Sequence, residues 1–542
     1  MKLDYIFLKV DLKKFFFFLT ALITSLGNSA HLSANVNYTA TVIEAKEDIQ
    51  DILQADFNGD TLGDIALIVW SDDLGRELLV YFQSASGQFS STPSRRIEIK
   101  TDIIAMATGD VREQAGDEII FFTRSASYSF STASQDYGNN LKKLFNSELI
   151  NTVPHRKETL FLGKLQDYNA DGKVDILLPG AESYAVYFGK GSDTFTEAQT
   201  LPKAFHNPTK ANKRAGGLTL TIDGENGLAF SRSAPPSAFA DILKDHPAQQ
   251  SDAPRNGETN ENILERRNWI PAVLPVKINQ DELIDFAFID DPKDNKLALQ
   301  QLNLLSATKD GSFSRENHWR SEFELKDTFF FVDFTGDQLD DIYGMETSGN
   351  DQISFYFYVN KGGRFNLSAP DQVIKFSGYA PTAKFLDLNG DAIPEFALSY
   401  YAVSSVEALR GGSLIRNLVV YLGEHSGEVT SDEKNASVFS RRPSLKHEEK
   451  FSSNAFKGLS QPLIMDADIN GDQIYDVVSI DNDGKLVAHS IDSALQRSKD
   501  PFWQFVPSHV VQEIITATLN TDRSSDFILS HQKSITVLVS RP

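Results

Sequence analysis

The chain has 542 residues, 41% of them apolar, with no cysteine and a formal net charge of −22. That length can bury a large core, and the missing thiols exclude disulfides, thiolate metal centres and a lipid-anchored cysteine. The acidic balance argues against a nucleic-acid partner, which would need a basic face.

The first element reads as a targeting segment. Lys13-Lys14 precede the apolar run Phe15 to Leu26, and small polar residues, Gly27 to Ala30, follow. This is the charged, apolar and small-residue order of a signal peptide, assigned to residues 1–30. The run is short for a membrane span, and an uncleaved anchor helix is the competing reading. The mature chain, residues 31–542, is then expected in the secreted space, the periplasm or the cell envelope.

Further on, a ten-residue pattern recurs. Its best-preserved copy is Asp167-Tyr168-Asn169-Ala170-Asp171-Gly172-Lys173-Val174-Asp175-Ile176. Short oxygen-bearing side chains stand at positions 1, 3 and 5, a glycine at 6, a further carboxylate at 9, and a β-type apolar run follows. Oxygens at alternate places in a tight loop can surround a hard cation such as Ca²⁺. Full copies begin at Asp56, Asp333, Asp387 and Asp468, and worn copies at Asp110, Lys277 and Thr518. The first positions are 56, 110, 167, 277, 333, 387, 468 and 518, a spacing near 55. The double step between 167 and 277 leaves room for a decayed copy at Thr219 to Phe230, and the step of 81 after Asp387 for an insertion. Insertions are placed at 202–267, where Pro235 to Arg267 is polar and irregular with room for one short helix, and at 424–450.

Each period has β texture. An apolar segment precedes the loop (Phe329 to Val332), a second follows it (Ile65 to Val69), and a third comes after a turn (Leu78 to Phe82). The third commonly runs into a glycine turn closed by phenylalanine, as at Gly87-Gln88-Phe89. Short strands at regular spacing predict an all-β repeat fold. The last unit has only three strands, whereas Tyr38 to Ile43 precedes the first unit without one of its own. A ring closed by that N-terminal strand accounts for both and protects the sheet edges.

This pattern of D-x-N-x-D-G-x-x-D loops with G-x-F turns resembles the FG-GAP and VCBS-type repeats of integrin α-chain heads and secreted bacterial proteins. The resemblance spans the mature chain. It implies one β-propeller of four-stranded blades, with seven to nine blades and eight favoured, and calcium loops joining the first two strands of a blade. Carried onto this sequence, it implies several Ca²⁺ sites: Asp56/Asn58/Asp60/Asp64, Asp167/Asn169/Asp171/Asp175, Asp333/Thr335/Asp337/Asp341, Asp387/Asn389/Asp391/Glu395 and Asp468/Asn470/Asp472/Asp476. Only the Asp167 copy has glycine at position 6, and its loop is expected to be the tightest. The worn copies have lost ligands, and Arg112 would stand in the cation's place. Two alternatives remain: Asx-rich turns without metal, and an EF-hand, which lacks its carboxylate at position 12 and its helices.

No catalytic arrangement stands out: there is no H-E-x-x-H, no G-x-S-x-G and no phosphate loop. His318-Trp319 and Trp503 are either a sugar-binding face or filling between blades. The expected function is a non-enzymatic, calcium-binding scaffold that holds a protein or glycan ligand on a loop face. The alternatives are a propeller lyase or hydrolase acting on polysaccharides, and a purely structural part of an envelope assembly.

Overall fold

The computed structural model describes residues 37–133, 140–147, 160–179, 184–201, 218–223, 227–232, 273–290, 300–308, 313–323, 328–348, 352–402, 414–424, 437–451, 463–481 and 483–541. Among these residues every regular element is a strand. No helix among them is long and apolar enough to cross a membrane. The targeting segment lies outside the described residues, as does the stretch from Pro235 to Arg267.

The strands form eight antiparallel blades, and the protein is a β-propeller. Blade 1 runs Asp48–Ala55, Asp64–Ser71, Gly75–Tyr81, Arg95–Ile99 from its inner to its outer strand. Blade 2 is Ala105–Gly109, Glu118–Phe122, Ala126–Phe130, Leu141–Asn146. Blade 3 holds Leu160–Lys164, Ile176–Pro179, Tyr184–Tyr187 and Gln199–Thr200. Its first strand is parallel to Ala105–Gly109 of blade 2 and meets its own blade through the Gln166–Asp175 bridge. Blade 4 is Val273–Val276, Asp285–Asp290, Gln300–Ala307, Phe313–Phe323, and blade 5 is Thr328–Val332, Asp341–Ser348, Gln352–Tyr358, Gln372–Ser377. Blade 6 is Tyr379–Leu386, Glu395–Ala402, Leu414–Tyr421, Leu445–Phe451, and blade 7 is Leu463–Ala467, Asp476–Ile480, Leu486–His489, Trp503–Phe505.

Blade 8 closes the ring as the sequence predicts. Glu513–Ala517, Asp526–Ser530 and Ser534–Arg541 are completed by Asn37–Glu44, in register from Asn37 opposite Arg541 to Glu44 opposite Ser534. The core confirms closure. It divides into eight apolar clusters, and each is shared by two consecutive blades. One of them joins blade 8 to blade 1 through Ile43, Ile65, Leu67, Ile528 and Val537. This sandwiching explains the unbroken apolar second strands. In Asp64–Ser71 the first seven residues are buried, because both faces meet a neighbouring blade. Between blades 5 and 6 the filling is aromatic, with Phe357 within 5.0–5.6 Å of Phe334, Phe396 and Phe439.

Two readings of the spacing need correction. Leu218–Asp223 and Gly227–Arg232, proposed as a decayed copy, form a hairpin that pairs with the inner strand of blade 5, Ala229 opposite Phe330. They are not a blade of their own. Of the stretch 424–450 read as an insertion, Leu445 onward is the fourth strand of blade 6. Between the loops at 387 and 468, residues 403–413, 425–436 and 452–462 lie outside the described residues.

Candidate functional site

The repeat loops each join the first strand of a blade to the second. Antiparallel order then places the turns after the third strands at the same end of the ring. Position 2 is the anchor. Phe57, Tyr168, Phe334, Leu388 and Ile469 are all buried, so positions 1, 3 and 5 are turned the other way, into the loop. Sequence reasoning gave position 2 no role; the signal was that an apolar residue stands there in all eight copies.

In the five full copies the position-1 aspartate organises the turn. Asp56 accepts the N–H groups of Gly59 (2.7 Å) and Thr61 (2.8 Å). Asp387 does the same with Gly390 (2.7 Å) and Ala392 (2.9 Å), and Asp468 with Gly471 (2.7 Å) and Gln473 (2.8 Å). Asp333 accepts from Gly336 (2.7 Å) and Gln338 (2.7 Å), and Asp167 from Gly172 (2.6 Å). These bonds hold positions 4 and 6 in the left-handed region. Position 4 has φ of 77° at Gly59 and 57° at Ala170; position 6 has 71° at Thr61 and 81° at Gly172. Gly336/Gln338, Gly390/Ala392 and Gly471/Gln473 follow the same geometry.

The Asp167 copy therefore holds no conformational advantage. It has glycine at position 6 and a strained Ala170 at position 4, whereas the other four have glycine at 4 and a strained residue at 6. Each loop carries one non-glycine residue at about 1 kcal/mol. In the worn copies at Lys277 and Thr518, which lack the aspartate, neither position is left-handed.

In four of the full copies positions 3 and 5 lie side by side. Asn58 Nδ2 donates to Asp60 Oδ2 at 3.1 Å, and the pairs Asn169–Asp171, Asn389–Asp391 and Asn470–Asp472 repeat this at 3.0–3.4 Å. The position-5 aspartate also accepts the N–H of position 7 in every full copy. Asp60 does so from Leu62, Asp171 from Lys173, Asp337 from Leu339, Asp391 from Ile393 and Asp472 from Ile474, all at 2.8–2.9 Å.

The Asp333 copy has threonine at position 3. The buried hydroxyl of Thr335 donates not to Asp337 but to Asp341 at 3.0 Å. Threonine is too short to reach across the loop as asparagine does, so no position-3 amide stands beside Asp337. Asp337 accepts the Leu339 N–H as in the other copies, and Thr335 bonds position 9. The structure brings Thr335 and Asp341 together, as it does Asn389 and Glu395 in the Asp387 copy (3.0 Å).

The position-9 carboxylate is a buried stitch. Asp64 accepts from Phe57 N–H (3.0 Å) in its own loop and from Gln83 N–H (2.8 Å) at the end of the third strand. Asp175 does so with Tyr168 and Gly189, Asp341 with Phe334 and Asn360, and Asp526 of a worn copy with Leu519 and Ser540. Asp476 and Glu395 accept from Ile469 and Leu388 in the same way. Burial, with the loop's other carboxylates adding to it, pushes Asp64 and Glu395 up to about 7, Asp175 to about 6, and Asp341 and Asp476 to about 8.

Neighbouring loops are tied to each other. The position-8 N–H of one donates to a carbonyl of the preceding blade's loop: Gly63 to Leu519 (2.8 Å), Asp117 to Asp56 (2.6 Å), Ile284 to Tyr168 (3.0 Å), Asp340 to Lys277 (2.6 Å) and Ser525 to Asp468 (2.7 Å). In blade 6 that position is Pro394, which has no N–H to give.

The loops' fit to a hard cation is mixed in geometry and good in chemistry. Among the described residues no three His, Asp or Glu side chains already converge as a ligand set. The donors are all oxygens, however, and no basic side chain stands at position 1, 3, 5 or 9 of a full copy. The worn copy at Asp110 supplies the contrast. Arg112, at position 3, is only 7% exposed and lies 3.9 Å from Glu118 at position 9 and 3.3 Å from Asp193 of blade 3. It also donates to the carbonyls of Ser129 (3.0 Å) and Asn140 (2.7 Å).

Trp319 and Trp503 fill gaps between blades, packing against Phe365 (centroids 6.1 Å apart) and Tyr38 (5.0 Å). No family model and no curated protein matches the chain. A solved lectin from Agrocybe aegerita, described by its specific recognition of non-reducing terminal N-acetylglucosamine, is similar over 85% of this chain and 93% of its own, at 12% identity and a TM-score of 0.38.

Proposed function

We propose that the protein is a calcium-stabilised binding module of the secreted space or cell envelope, of the FG-GAP/VCBS type, holding a protein or glycan ligand on a loop face. The observation that supports a cation in these loops is Arg112. Where a copy has lost its position-3 donor, a guanidinium has entered the same loop and faces the position-9 carboxylate. A loop of this design calls for positive charge, and no basic side chain stands at position 1, 3, 5 or 9 of the five full copies.

Calcium would be held by Asp56/Asn58/Asp60/Asp64 and the four corresponding sets, where it would neutralise clustered carboxylates and fix the turn. Asp167, Asp333, Asp387 and Asp468 are already oriented by their N–H bonds. The loops are joined blade to blade, so a rigid loop end would present the neighbouring turns as a fixed surface, and loops on a rigid scaffold commonly carry function.

The test is capture of partners from the native envelope fraction, with and without calcium, alongside incubation with a panel of polysaccharides. Calcium-dependent capture without product release is expected. Release of oligosaccharide products would overturn the binding reading in favour of a lyase or hydrolase.

A further inference from the structure

We infer that blade 7 carries an oxyanion-binding site centred on Arg497 and bordered by Arg416, His447 and His489, which takes one carboxylate or phosphate group of a ligand. The first observation is positional. In four other blades the residue bridged to the end of the third strand is phenylalanine: Phe89 opposite Gln83, Phe195 opposite Gly189, Phe313 opposite Ala307 and Phe439 opposite Gly423. Phe89 and Phe439 are buried in the clusters between blades. In blade 7 the residue in this register, opposite Ile491, is Arg497. The apolar filling there comes instead from Ile491 and from Leu495, which is held in the left-handed region at φ 58° and is buried.

The second observation is that this guanidinium is incompletely used. Its Nε is buried and has no hydrogen-bond partner among the described residues, and Arg497 forms no ion pair among them. The nearest carboxylate is already committed. Glu449 receives Arg416 Nε at 3.1 Å, with a second contact from the same guanidinium, and His447 Nε2 lies 3.4 Å from its other oxygen. Arg416 thus holds Glu449, and the Arg497 guanidinium faces the same carboxylate electrostatically without an ion pair of its own among the described residues. A guanidinium with free donors in such a setting selects a planar or tetrahedral oxyanion, which can accept two of its N–H groups.

His489 reports on the site. It is buried, its Nδ1 lies 3.1 Å from the Ser498 carbonyl, and burial together with the Arg497 charge holds its pKa below the usual range. A bound oxyanion would reverse the second effect and raise it.

The experiment titrates the full chain with tri-galacturonate and, separately, with inorganic phosphate, in a non-coordinating buffer, by calorimetry and by the NMR pH profile of His489. Saturable one-site binding of at least one probe, with an upward shift of the His489 pKa, is expected, and the probe that binds identifies carboxylate or phosphate as the ligand group. Arg497→Gln should weaken binding by about tenfold or more. Arg497→Phe, which restores the residue of the other blades, should abolish binding and keep or raise the melting temperature. Absence of saturable binding by both probes, or unchanged affinity in Arg497→Gln, would overturn the proposal.

Discussion

The side-chain amide of Gln83 donates to the carbonyl of Leu519 at 2.6 Å across 436 residues of sequence, and to the carbonyl of Gly63 at 2.8 Å. This one side chain ties the first blade's loop to the last blade's loop at the closure of the ring. Gln83→Leu leaves two carbonyls short of a donor, although Leu519 keeps the bond from Gly63 N–H. A loss of about 1–2 kcal/mol is expected in urea unfolding, read from a lower midpoint at constant m.

The position-2 anchors make a stronger prediction. Phe57 is 1% exposed between blades 1 and 2, and its N–H donates to Asp64. Phe57→Ala opens a cavity under the loop and should cost about 3–5 kcal/mol. Replacement of the neighbouring half-buried Asn58 by serine should cost far less, and denaturant midpoints compare the two.

The paired left-handed positions make a prediction about glycines. A Cβ at Gly390 would meet nothing within 4 Å, so Gly390→Ala should cost only the conformational term of about 1 kcal/mol. A Cβ at Gly59 would lie 2.3 Å from the Ala115 carbonyl of blade 2, so Gly59→Ala should destabilise by clearly more. Conversely Gln473→Gly, at φ 72°, should leave stability unchanged or raise it. Thermal melts of the three variants rank them.

The architecture was legible because the blade period writes itself twice, in acidic loops and in apolar second strands. Closure by the N-terminal strand followed from counting strands at the two ends. The hairpin at 218–232 was not legible as an addition to blade 5, because its alternation is the same whichever sheet edge it joins. The shared strain of positions 4 and 6 was hidden for a related reason. Glycine at position 4 looks like an ordinary turn residue until the position-1 aspartate is seen holding both N–H groups. The bond from Thr335 to Asp341 was hidden too, since the sequence pattern places an oxygen at position 3 without saying which carboxylate it meets. Arg497 was missed because a lone arginine after a strand carries no signal until strand register places it against the phenylalanines of other blades.

The Arg416–Glu449 pair sets an acid limit. Burial alone would raise the Glu449 carboxyl, but the hydrogen bond from His447 and the Arg416 charge outweigh it and hold it at about 2, below the ordinary 4.5. A carboxyl depressed in the folded state binds fewer protons there than when unfolded, so its stabilisation is fully present above about 4.5 and is lost as pH falls toward 2. Glu449→Gln should flatten that part of the stability–pH curve while lowering stability near neutrality, as denaturant titrations across the acid range would reveal.

The most direct test of the whole account is calorimetric titration of Ca²⁺ into the chelator-stripped full chain, paired with thermal melts. Saturable binding at the five full loops is expected, with a higher melting temperature and the loss of one site in each of Asp60→Ala and Asp391→Ala. No heat, together with a melting temperature unchanged by chelation, would contradict it and leave the loops as ordinary Asx turns.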